Sequence, residues 1–204
     1  MGLTATGIIY SPWGMQSGAH LNPSVTLSFL RLGKVEAWDG LFYVLAQFVG
    51  GLSGVLFASA CLSPWVSHPS INYVATVPGM DGPSVAFVAE FVISFGLMTV
   101  VLIASNTEKL ARFTGLFAAG LVAAYITVEA PLSGMSMNPA RTLASAFPAH
   151  ALRWLWIYFA APPLGMLIAA ELYRLLSRSG GVRCAKLHHQ NNKRCIFRCG
   201  YRNA

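Results

Sequence analysis

Ser17-Gly18-Ala19-His20-Leu21-Asn22-Pro23-Ser24-Val25-Thr26-Leu27-Ser28 decides the reading of this chain, because it returns 116 residues later. The second copy is Ser133-Gly134-Met135-Ser136-Met137-Asn138-Pro139-Ala140-Arg141-Thr142-Leu143-Ala144. Six of the twelve positions are identical without a gap. Asn-Pro is a common turn dipeptide, but two chance turns do not explain matched flanks on both sides. Each copy reads as a helix start. Asn is a good N-cap, and proline suits the first helical position because its missing N–H would be unpaired there anyway. Pro23 and Ser24, and Pro139 and Ala140, therefore open two short helices.

The surroundings of the repeat are those of a membrane protein. The 204 residues are 55% hydrophobic and 10% charged, against about 25% charged in soluble domains. Disorder needs the opposite composition, and four cysteines are too few for a disulfide scaffold. The net charge of +7 is not a nucleic-acid signal, since eight of the fourteen basic residues lie between Arg174 and Arg202. Segments 40–62, 85–105, 113–128 and 154–170 are apolar enough to cross a bilayer, which takes about 20 residues. Trp154, Trp156 and Tyr158 suit an interfacial belt. The opening stretch 2–16 reads as a fifth, shortened span. Basic residues are dense at 31–39, 106–112 and the tail and sparse between, which puts those segments in the cytoplasm. Five spans would leave Met1 outside, so the count implies a chain that begins one helix late.

Three spans separate the two copies, so they enter the membrane from opposite faces. That is an inverted repeat, which places a site at the bilayer midplane. Each half-helix is too short to span and dips in from its own side. Irregular backbone at that depth is tolerated only where it lines a cavity. Two helix N-termini would then aim their positive ends at one spot, with Asn22 and Asn138 as central donors. A water held there turns its oxygen to the amides and its hydrogens away, which breaks a proton wire. The positive field also turns back cations.

These boxes resemble those of the aquaporin (major intrinsic protein) family, over about residues 2–176. Its two Asn-Pro-Ala boxes correspond to Asn22-Pro23-Ser24 and Asn138-Pro139-Ala140-Arg141, with serine for alanine in the first. The resemblance implies an all-α, right-handed bundle with inverted repeats and two re-entrant half-helices, five of its six spans present. It divides the chain into a channel domain at 1–178, with a truncated first repeat at 1–62 and a second at 84–177, and a tail at 179–204. It further implies that Arg141 narrows an outer constriction and that His20 stands on the cytoplasmic half of the pore. Ile126 and Met135 occupy filter positions, and Glu90 braces the loop of the second half-helix. Tyr158-Phe159 approximates an aromatic pair of the water-selective members. Thr142 and Ala146 stand where glycerol-type members carry an acid and a base. Ile126 and Met135 make the wall opposite Arg141 less polar than in a strict water channel. Gly51, Gly115 and Gly165 belong to small-residue faces that suit close helix packing.

In the tail, Cys184, His188, Cys195 and Cys199 form a metal-like set. Three thiolates and an imidazole suit a closed tetrahedral zinc site, and thiolates also take iron–sulfur clusters. A basic tail lying on anionic lipid is the plainer reading.

The reading that follows is a passive channel for water, with small uncharged solutes alongside, in the plasma or inner membrane. No cofactor is required for transport. A glycerol- or metalloid-type facilitator is the nearest alternative. A truncated, non-conducting or metal-sensing subunit is the alternative from another class. No nucleophile–base pair or cofactor motif appears in the spans, so catalysis is not expected. The resemblance implies a homotetramer and no nucleic-acid partner.

Overall fold

The computed structural model describes residues 1–177 and 181–201. The boundary expected at 178/179 lies outside the described residues. Everything regular in the described residues is helical. Four helices are long and apolar enough to cross a membrane: α4 (Ala37–Leu62), α5 (Gly82–Asn106), α6 (Thr114–Val128, extended by a 3-10 turn from Ala111) and α9 (Leu155–Leu176). Each runs longer than the apolar segment that announced it. At 1.5 Å per residue, the 26 residues of α4 cover about 39 Å. Helix α9 continues through Pro162 and Pro163.

The opening stretch is not one span. It forms α1 (Gly2–Ile9) and α2 (Pro12–Ser17), broken at Tyr10 and Ser11. The cause is local. Pro12 cannot donate to the turn before it. The Ser11 hydroxyl accepts from Gly14 N at 3.0 Å and donates to Ile8 O at 2.8 Å, capping one helix while closing the other. Helix α1 lies against α6, where Ile9 and Tyr10 close over Gly115.

The two half-helices are α3 (Pro23–Arg31) and α8 (Pro139–Ala146), with the four-residue α7 (Ala130–Ser133) leading toward the second. Each packs against the long helix that follows the other copy: α4 on α8, and α3 on α9. The halves are thereby interlocked rather than side by side. Gly51 lies against Ala140 and Ala144 of α8. Gly165 brings α9 onto α5 so closely that an added Cβ would lie 2.4 Å from Phe91 O. The core joins both halves through Val25, Phe29, Leu97, Met98 and Met166. Residues 181–201 fold back onto the face formed by 18–36 and 105–106, and Val182, Cys184, Ala185, Lys186 and Leu187 are buried there.

Candidate functional site

The two copies of the repeat open on the same backbone turn, and they differ just before the asparagine, where Met137 is left-handed at a φ of 55° and Leu21 is not. Gly18 and Gly134 have φ of 77° and 76°, and the residues after them, Ala19 and Met135, also turn left-handed at 59° and 50°. Glycine takes such a conformation freely. A residue with a Cβ takes it at a cost of about 1–3 kcal/mol, which the surrounding structure must hold in place. Asn22 and Asn138 then extend at the same φ of −145° and begin their helices. Each side chain caps its own helix through Oδ1. Asn22 accepts from Ser24 N at 2.9 Å, and Asn138 accepts from Ala140 N and Arg141 N at 3.1 and 3.2 Å.

The side-chain amides reach across to the other copy. Asn22 Nδ2 donates to Met137 O at 2.6 Å, and Asn138 Nδ2 donates to Leu21 O at 2.9 Å. This reciprocal pair holds the two helix N-termini together. An amide nitrogen carries two hydrogens, so one N–H on each asparagine remains beyond the crossed bond.

Braces behind the loops are matched as well. Tyr43 of α4 donates to Ser17 O at 2.5 Å, and Tyr158 of α9 donates to Ser133 O at 2.6 Å. These serines occupy the same position in the repeat. Tyr158 is fully buried and is no interfacial belt residue, because its hydroxyl is drawn inward to that carbonyl. Glu90, also fully buried, holds the second loop. Its Oε1 accepts from Ser133 Oγ and Ser136 N at 2.8 and 2.6 Å, and its Oε2 from Met137 N at 2.7 Å. On the first loop Gln47 donates to His20 O at 2.7 Å and to Thr26 Oγ1 at 2.9 Å.

Two cavities meet at this point. One, of about 210 Å³, carries Asn22, Asn138, Arg141 and Met135, walled by apolar residues of α1, α5 and α6. The other, of about 650 Å³, runs along α4 from His20 and Tyr43 to Val55, and reaches Arg141. Asn138 and Arg141 line both. The Arg141 guanidinium bonds Thr76, a buried residue of the connection between α4 and α5. Ile126 does not join Arg141 and Met135, with which it was expected to line a filter. It is exposed on α6 and is not among the residues that line these two cavities. His20 lines the larger cavity but is enclosed. Its Nε2 meets Ala185 O at 2.8 Å, and its ring lies between Phe29 and Phe197, each 5.3 Å away.

Thr76, Tyr43 and Gln47 carried no sequence signal, since each acts on a partner far along the chain. The tail set is also corrected. His189, not His188, groups with Cys184, Cys195 and Cys199. His188 instead packs edge-on to Tyr10 at 4.8 Å.

Comparison with known proteins agrees with this architecture. The family model for major intrinsic proteins matches residues 2–173. Aquaporin NIP6-1 of Arabidopsis thaliana is 38% identical over 174 residues, covering 84% of this chain and 55% of that protein. Aquaporin NIP3-1 of Zea mays is 39% identical over 175 residues, covering 85% and 56%. The chain thus spans a little over half the length of these relatives. The aquaglyceroporin structure from Plasmodium falciparum shares the fold, with a TM-score of 0.71 at 20% identity over 84% of this chain and 78% of that one. The family consists of membrane channels rather than enzymes. A matched pair of Asn-Pro half-helices, an interlocked helical bundle and relatives along most of its length place this chain in the major intrinsic protein family.

Proposed function

We propose that the chain forms a passive pore for water that turns back protons and cations at the Asn22–Asn138 pair. The crossed bonds between Asn22 and Met137 O and between Asn138 and Leu21 O carry this reading. They bring two positive helix ends to one cavity wall. The remaining amide hydrogens donate to the oxygen of a passing water, whose own hydrogens then point away from the pair. Arg141, next to Asn138 on the cavity wall, adds a fixed positive charge that repels cations.

The relatives' names include aquaporins, and the structural neighbour is named an aquaglyceroporin. A second reading, small uncharged polyols alongside water, is favoured by the cavity itself. Its polar stripe of asparagines and Arg141 faces an apolar wall with Ile9, Leu97, Val101 and Val122. A polyol could hold its hydroxyls to one side and its carbons to the other. A cytoplasmic tail belongs to the same proposal, supported by the basic residues at 31–39, 106–112 and in the tail. A homotetramer in the plasma or inner membrane, each chain with its own pore, completes the proposal.

The test is stopped-flow light scattering of proteoliposomes. After a sucrose jump, fast shrinkage with a low activation energy is expected, and shrinkage no faster than empty liposomes would refute the pore. An inward glycerol gradient reads the second solute class. Swelling above the empty control supports it, and water flux without such swelling removes it.

A further inference from the structure

The channel reading leaves the tail unused, yet the tail is folded. Four ligand atoms, the sulfurs of Cys184, Cys195 and Cys199 and one ring nitrogen of His189, all lie within 4.8 Å of one another. Cys184 Sγ is 3.4 Å from Cys195 Sγ, and His189 Nε2 is 3.1 Å from Cys199 Sγ. The thiols are free, and 3.4 Å is far beyond a disulfide bond of about 2.05 Å. Zinc–sulfur bonds of about 2.3 Å put tetrahedral ligands about 3.7 Å apart. The cluster therefore needs only small adjustments to close on one ion, and it has no room for the several irons and sulfides of an iron–sulfur cluster.

The surroundings are built for the same purpose. The His189 ring stacks on Tyr201 at 4.1 Å, which fixes its plane. Cys184 Sγ accepts from Lys186 N at 3.4 Å. The buried Lys186 ammonium is held by Asn191 Oδ1 at 3.1 Å and Lys193 O at 3.0 Å, which fixes the loop between the ligands.

The ligand loop also grips the mouth of the site. Between the ligands, Ala185 O meets His20, Leu187 N donates to Gly18 O at 3.3 Å, and Phe197 stacks on His20. The Leu187 side chain forms part of the lining of the cavity that holds Asn22 and Asn138. Arg198 N donates to Lys34 O at 3.1 Å, and its guanidinium pairs with Glu36.

We infer that Cys184, His189, Cys195 and Cys199 form a zinc site, and that zinc there holds residues 182–201 as a plug in the tail-side mouth of the pore. The site stands on its own geometry, whereas its effect on flux rests on the proposed channel. In this proposal, the tail without the ion is held by these contacts alone, and Leu187 and Phe197 leave the mouth more readily.

The test uses the purified full chain, loaded with zinc, desalted and assayed for bound metal. One zinc per chain is expected. His188→Ala should keep it, and His189→Ala and the Cys195→Ser/Cys199→Ser variant should lose it. Cobalt loading of the unmodified chain should give the intense visible bands of a tetrahedral thiolate site, a readout that survives if a variant fails to fold. No retained zinc and no such bands, or zinc retained by the double serine variant, would overturn the site. Hydrogen exchange of residues 182–201 reads the plug without any transport. Chelation should raise it, and unchanged exchange would overturn the plug. In proteoliposomes chelation should raise water flux several-fold for the unmodified chain and leave the double serine variant unchanged. Unchanged flux in a conducting chain would overturn the plug as well. A chain that conducts in neither state refutes the channel reading alone, since metal content and exchange still decide the tail.

Discussion

At the scale of single residues, the site depends on hydrogen bonds that are made twice. Asn138 accepts with Oδ1 and donates with Nδ2, and the two roles cannot be exchanged. Asn138→Asp keeps the helix cap but sets a carboxylate against Leu21 O. The crossed bond is lost, and a negative charge stands where the proposed pore would refuse cations. Water flux should fall to the empty-liposome level, and thermal unfolding in detergent should show a loss of about 1–3 kcal/mol. Glu90→Gln replaces one of two acceptor oxygens with a donor, so a backbone N–H of Ser136 or Met137 loses its partner. A loss of about 1–3 kcal/mol is expected by the same measurement, and an unchanged melting curve would show that Glu90 does not brace the loop. The asparagines were legible in the sequence because a repeated motif breaks the background, and Glu90 stood out as an acid within an apolar span, while its bracing role came from the family resemblance. Tyr158 was not legible. An aromatic ring with a polar tip reads alike whether it anchors at an interface or braces a loop in the core. His188 and His189 could not be told apart either, since an irregular segment has no period to assign a face.

At the scale of elements, close approach sets the interlock. Gly165→Ala would push α9 from α5, because the new Cβ would lie 2.4 Å from a backbone carbonyl rather than from a side chain that can turn away. Overpacking of this kind costs about 1–3 kcal/mol, read as a lower melting temperature in detergent. Gly50→Ala, whose Cβ would meet open space, should leave stability unchanged or raise it by up to about 1 kcal/mol and serves as the control. The long helices were plain from hydropathy, which needs only a run of apolar residues. The opening stretch was misjudged because its average hydropathy conceals a break made by two residues, a serine that caps and a proline that cannot donate. The contacts of α3 with α9 and of α4 with α8 lay beyond sequence reasoning. They join elements from opposite halves of the chain, and only the inverted placement of the two boxes hinted at them.

At the scale of the whole molecule, one geometric idea recurs. Two copies of a short segment enter from opposite sides, cap themselves alike, are braced alike by tyrosines, and hold each other by exchanged amide bonds. On the proposed function, such a centre passes a neutral molecule that can accept hydrogen bonds and refuses a cation. The central claim is therefore a pair of fluxes from one preparation. Proteoliposomes carrying a trapped pH-sensitive dye would be followed through a sucrose jump and, separately, through an imposed pH gradient. The account predicts shrinkage well above the empty control with no added proton leak, and loss of that shrinkage in Asn22→Asp/Asn138→Asp. Proton leak in the unmodified chain, or shrinkage that survives the double substitution, would contradict it.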